Sequence, residues 1–97
     1  MFRHIVLLAW VAEATEEQKA AVEAGLKELP GVIPELLRYE IGPDAGVSPG
    51  NFDFAVVADF ASVEDYMVYR DHPTHLGVIA DVIRPILANR VAAQYSF

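Results

Sequence analysis

Between Phe2 and Val11 the chain reads FRHIVLLAWV, and its side chains sort into two apolar rows. Phe2, His4, Val6, Leu8 and Trp10 fall on one face of an extended strand, and Ile5, Leu7, Ala9 and Val11 on the other. Thr15 and Gln18 stand at capping-box spacing, with Glu16 and Glu17 in the turn where a helix dipole favours acids. Ala21, Val22, Gly25, Leu26 and Leu29 then recur at helical spacing, and Pro30-Gly31 closes the predicted helix. Residues 36–42 predict a second strand, with Leu37, Tyr39 and Ile41 on one side. The stretch GPDAGVSPGN, with three glycines and two prolines, reads as a loop. Phe52 to Phe60 predicts a third strand, in which Phe52, Phe54, Val56, Ala58 and Phe60 alternate with Asp53, Ala55, Val57 and Asp59. No helical pattern separates these two strands, so they form an antiparallel hairpin. Ser62 caps a second helical region that breaks at Pro73 and resumes as an apolar stripe of Leu76, Ile79, Val82, Ile83, Ile86 and Leu87. Pro85 kinks or restarts that region, having no N–H to return to Asp81. Residues 91–97, VAAQYSF, alternate as a last strand.

The order β-α-β-β-α-β is the ferredoxin-like arrangement of the α+β class, a four-stranded antiparallel sheet with its helices on one face. One such domain over residues 1–97 is expected. The face away from the helices should be polar if it meets water. Instead Ile5, Leu7, Val57 and Leu36 are expected there, in a chain that is 54% hydrophobic. A second copy is the simplest cover, so a homodimer is expected.

Charge narrows the partners. Fourteen acidic residues oppose seven scattered basic ones, leaving −7. Nucleic acid and anionic membrane both require a basic footprint and are not expected. The apolar run after Arg3 imitates a short secretion signal but reads better as a core strand, and no stretch approaches the ~18 residues that span a bilayer. A cytoplasmic location is the default, in keeping with the absence of cysteine.

Candidate chemistry gathers around the histidines. His4 lies on the helix-facing row of the first strand, and His75 shares helical spacing with Ile79, Val82 and Ile86. Tyr66 and Tyr69 lie one or two turns before His75. A pocket between sheet and helix could hold His4, Tyr69 and His75 together, with Phe54, Val56, Ile79 and Ile83 shaping its walls. Each histidine also has a plain reading as a hydrogen-bonded core residue, and His72, before Pro73, as a local cap. Asp71, His72 and His75 could be proposed as metal ligands, but His-x-x-His across a proline break is a weak zinc signal with no third or fourth ligand at a telling spacing, so no metal is expected. Asp53 and Asp59 are expected near strand ends in solvent. The glycine-rich loop lacks the Lys-Ser/Thr and following helix of a phosphate loop, and no cofactor is expected.

The segments RHIVLLAW, LPGVIP, PGNFDFAVVADF, VEDYMVYRDHPTHLGV and RPIL resemble the stress-responsive A/B barrel (Dabb) family over nearly the whole chain. The HPTH segment and the strand-1 histidine carry the most specific part of the likeness. The resemblance implies a dimeric α/β barrel in which two ferredoxin-like sheets close face to face. Most relatives are stress-induced or uncharacterised small proteins; one plant relative is a cofactor-free polyketide cyclase. Its catalytic constellation resembles His4, Tyr69, His72 and His75 here. Two functions therefore stay open: a dimeric protein binding a small apolar ligand without catalysis, and a cofactor-free cyclase or lyase. In the second, His75 would be the general base, with Tyr69 and His4 donating to the oxygen of a small apolar carbonyl compound.

Overall fold

Each apolar row of the first strand needs a layer to cover it, and the two rows are covered differently. In the computed structural model, which describes residues 1–97, four strands form one antiparallel sheet. They are β1 (Phe2–Trp10), β2 (Arg38–Pro43), β3 (Phe54–Phe60) and β4 (Leu87–Ser96), in the order β2-β3-β1-β4. Directly paired residues share a face, so the register ties rows together. His4 pairs with Ala58 and Gln94, Val6 with Val56 and Ala92, and Leu8 with Phe54 and Arg90. Phe2, His4, Val6 and Leu8 are all buried, against a helical layer of α1 (Glu16–Lys27), α2 (Val63–Asp71) and α3 (Pro73–Val78). Val22, Leu29, Ile33, Ala58 and Phe60 are fully excluded from solvent, each large aliphatic or aromatic side chain contributing ~1.5–3 kcal/mol. No helix is long and apolar enough to cross a membrane.

Local chemistry sets the element ends. The Thr15 hydroxyl accepts from the Gln18 N–H at 3.1 Å, and the Gln18 side chain accepts from the Thr15 N–H at 2.9 Å. The box closes as its spacing predicts. A Cβ at Gly25 would stand 3.3 Å from a methyl of Val78, so the missing side chain lets α1 lie close to α3. The loop between β2 and β3 turns through Gly46 and Gly50 at φ +74° and +83°, the left-handed region open to glycine. Asp53 anchors that loop: its carboxylate accepts from the Trp10 N–H at 2.7 Å, and its own N–H donates to Leu8 O at 2.8 Å.

The second helical region departs from the expected kinked helix. After α3 the backbone widens into a π-helical turn, Ile79–Ile83, in which the Arg84 N–H reaches the Ile79 carbonyl. A 3-10 turn, Arg84–Ile86, places Pro85 early, where its missing N–H costs nothing. β4 then begins at Leu87, four residues before residue 91, and Leu87 pairs with Trp10 instead of extending the helical stripe. The apolar spacing of Ile83, Ile86 and Leu87 fits a helix and a turn-plus-strand equally well. The third strand starts at Phe54 instead of Phe52, because Asp53 is held in the loop anchor.

The face without helices is largely as expected, with three corrections. Ile5 and Val57 are half-buried, and Leu7 and Val91, which pair, are 37% and 44% exposed. Val11 does not join them: a register shift between Ala9 and Trp10 turns it onto the core, and its N–H donates to Ile86 O at 2.8 Å. Leu36 precedes β2, outside the strand alternation, and it too packs on the core. Asp59, expected in solvent, is only 3% exposed. Its strand neighbours are Arg3 and Arg38, and the Arg3 guanidinium grips its carboxylate through Nε at 2.7 Å and Nη2 at 2.8 Å. Arg3 also donates to the Tyr95 hydroxyl at 3.3 Å and lies 4.7 Å from the Phe97 ring centroid. Beside this cluster the chain ends meet: the Met1 amine donates to Phe97 O at 3.1 Å, and the Phe97 N–H to Met1 O at 3.0 Å.

Candidate functional site

Between the sheet and the second helical region the packing leaves a cavity of ≈ 330 Å3, at the lower end of the ~300–1,000 Å3 typical of ligand pockets. Val6, Leu8, Val56, Ile79 and Ile83 make its apolar walls, and His4, Tyr69 and His75 all line it. A larger groove of ≈ 550 Å3 lies elsewhere, between the β2–β3 loop and Leu7 and Ala55 on the face without helices. It contains neither a histidine nor a tyrosine; the candidate histidines and Tyr69 gather instead around the smaller cavity.

The HPTH segment explains how His75 is held. Pro73 has no N–H and starts α3, leaving the end of α2 with unpaired carbonyls. Thr74 N–H would bond back to Arg70 O in a continuous helix, but it donates to His72 Nδ1 at 3.1 Å. His75 fills the gap, its Nδ1 lying 3.0 Å from Arg70 O. A carbonyl can only accept, so Nδ1 carries the proton, and in the neutral ring Nε2 has a free lone pair. Burial pushes the His75 pKa down, against the opposing pull of the Arg70 and Tyr69 carbonyls.

His4 has the complementary arrangement. Its Nδ1 lies 2.9 Å from the Gln94 side-chain nitrogen, which can only donate, so the His4 proton sits on Nε2. Burial first, then the positive charge of Arg90, lowers its pKa to about 4, so the ring is neutral near pH 7. The site therefore holds two neutral imidazoles, one with its remaining nitrogen as donor and the other as acceptor. The rings between them form one aromatic cluster. Tyr69 stacks on His75 with centroids 4.1 Å apart and planes 30° apart, and Tyr66 lies 4.9 Å from His4.

Tyr69 is placed differently from a free donor. Its hydroxyl is 3.1 Å from that of Tyr39 on β2, so the pair shares one hydrogen bond and keeps a single proton to donate. Burial pushes the Tyr69 pKa up to about 12, partly offset by the Tyr39 bond. Its ring lines the cavity and orients His75.

Of the eight residues singled out from the sequence, His4, Tyr69, His75, Val56, Ile79 and Ile83 meet around the cavity. His72 does not: its ring is occupied as the cap of α3. Phe54 does not either. It pairs with Leu8 near the bulged end of β1, where it packs against Trp10 at 6.2 Å between centroids. Sequence reasoning missed Arg70, Arg90 and Gln94. Arg90 and Gln94 flank Ala92 on the helix-facing row of β4; starting that strand at residue 91 hid Arg90, while the pairing of Gln94 with His4 depends on the β1–β4 register. No three His, Asp or Glu side chains converge in a metal-binding group.

Comparison with known proteins places this geometry. A dimeric ferredoxin-like protein of unknown function from Thermobifida fusca is 44% identical, with a TM-score of 0.91 over 99% of this chain and 90% of its own. A dimeric protein of unknown function from Bacteroides fragilis is 23% identical, with a TM-score of 0.85 over 99% of this chain and 95% of its own. The hydroxynitrile lyase of Passiflora edulis is likewise 23% identical, with a TM-score of 0.82 over 97% of this chain and 90% of its own. At such identities the last two share the fold alone. No curated protein matches the sequence. The model of the stress responsive A/B barrel domain (Dabb) matches residues 2–97, and the chain belongs to that family.

Proposed function

We propose that the protein is a homodimer that binds a small, largely apolar carbonyl compound in the cavity between its sheet and helices. The cavity carries this reading: aliphatic walls converge on two neutral imidazoles, one able to donate to a carbonyl oxygen and one able to accept. Pre-formed apolar space with a few convergent polar groups is what small-molecule sites share. The dimer is supported by the exposed apolar row of Leu7 and Val91 and by the dimeric state of the Thermobifida fusca relative. Titration with small ketones, followed through the imidazole proton signals, tests the binding. His4 and His75 signals should shift together and saturate, whereas no shift with any ketone counts against the pocket.

The bare Nε2 of His75 favours a second reading, cofactor-free proton abstraction beside a carbonyl. His75 would take the proton while His4 Nε2–H stabilises the enolate oxygen. The hydroxynitrile lyase neighbour keeps this open as an enzyme built on the same fold. Deuterium uptake at the α-carbon of a bound ketone separates the readings. Uptake that disappears in His75→Gln, with binding retained, establishes catalysis; binding without uptake leaves the protein a carrier or sensor.

A further inference from the structure

We propose that the ligand of this cavity is an anion, an apolar molecule ending in a carboxylate, with Arg90 as its counter-charge. This rests on the reading of the cavity as a ligand pocket and names the class of molecule it takes. The chain has fourteen acidic and seven basic residues, yet the cavity is lined by Arg70 and Arg90 and by no aspartate or glutamate. In an acidic protein, a pocket free of carboxylates and bearing an arginine is a local positive field that an anion can meet.

The two arginines are not equivalent. Arg70 is neutralised by Asp71, through Nε at 2.8 Å and Nη2 at 2.9 Å. Arg3, Lys19, Lys27 and Arg38 are likewise paired, with Asp59, Glu16, Glu23 and Glu40. Of the seven basic side chains only Arg84 and Arg90 lack an ion pair, and of those two only Arg90 lines the cavity. The register fixes its direction: Arg90 pairs with Leu8, and Gln94 on the same row pairs with His4. Arg90 therefore stands on the helix-facing row of β4, the strand next to β1, from which Gln94 bonds His4.

The rest of the lining fits the same ligand. His4 Nε2–H supplies a second donor besides the guanidinium. Val6, Leu8, Ile79 and Ile83 accept an apolar body, while a fork of N–H groups matches a carboxylate better than a neutral carbonyl. Burial chiefly, with a smaller contribution from the positive charge of Arg90, depresses the pKa of both His4 and His75, so that charge reaches the space they share.

Calorimetric titration of the dimer with hexanoate, octanoate, benzoate and cinnamate, each against its primary amide, tests the assignment. At least one acid should bind about tenfold more tightly than its amide, the size of a charge-assisted hydrogen bond. The gap should close in Arg90→Gln and survive in Arg84→Gln, which removes the same charge outside the cavity. Equal binding of acid and amide overturns the anion assignment while leaving the pocket in place, and so does a gap that persists in Arg90→Gln or closes equally in Arg84→Gln. Binding of neither series removes the pocket reading itself, and the assignment falls with it.

Discussion

His4 shows how one side chain can answer to the sheet, the cavity and the solvent pH together. Its folded pKa of about 4 lies below the ordinary 6.5 because burial disfavours the charged ring. The sign follows. The unfolded chain takes up this proton near pH 6.5, the folded one only near 4, so stability falls as pH drops through that window. In His4→Gln that contribution is gone, and denaturant midpoints measured from pH 7 to 4 should decline less steeply than in the wild type. His75 behaves differently when truncated. It is half-buried and lines space instead of filling it, but it satisfies Arg70 O. His75→Ala should cost ~1 kcal/mol, the value of one hydrogen bond, with the dimer unchanged. A loss above ~2 kcal/mol in urea unfolding would show that the ring is a core element. Both histidines were visible in the sequence as residues, and their apolar rows gave their direction. Their tautomers were not, because these depend on Gln94 from the far end of the chain and on a carbonyl freed by Pro73.

At the scale of elements, what could be read in advance was local. The capping box, the proline break and the period-2 strands each rest on residues within one turn or one strand; the first two formed as predicted, and the strands formed with shifted ends. What escaped needed a long-range partner. The start of β4 depends on its pairing with β1, and the inward turn of Val11 depends on the register shift beside Trp10. Asp59 looked like a solvated strand-end acid until Arg3, far off in sequence, was laid over it. Two substitutions test the packing of α1. Thr15→Ala removes the cap and should cost ~1 kcal/mol. Gly25→Val would drive two methyls into Val78, already 3.3 Å from the first carbon, and should cost ~1–3 kcal/mol by thermal unfolding. An unchanged midpoint for Gly25→Val would mean that α1 and α3 can slide apart at no cost.

For the whole molecule, the sheet has one face in the core and one that needs a partner. Leu7→Asp would place a charge in that second face, and light scattering should report monomer or unfolded protein. A wild-type monomer at micromolar concentration would remove the homodimer. The Arg3–Asp59 pair stands on the same face and gives it a polar fixed point among apolar neighbours, a feature able to set the register of two sheets. Arg3 holds the Asp59 pKa below the usual carboxylate range. The stability this pair supplies is present above the ordinary carboxylate pKa and is lost as pH falls through the lower folded value. Asp59→Asn should lower the unfolding midpoint at pH 7, and the difference from wild type should shrink in acid.

The meeting of the chain ends has a practical consequence. Met1 and Phe97, just beyond the ends of neighbouring strands, already exchange hydrogen bonds, so a short glycine linker could join them without disturbing the ladder. New ends could be opened between Gly46 and Gly50, in an exposed loop that belongs to no strand. Such a circular permutant would keep every strand pairing and the cavity while moving its free ends away from the β1–β4 side. Tags or reporter domains could then be attached clear of Tyr95 and Phe97, and the order in which strands become available to the folding chain would be rewritten with the same final sheet.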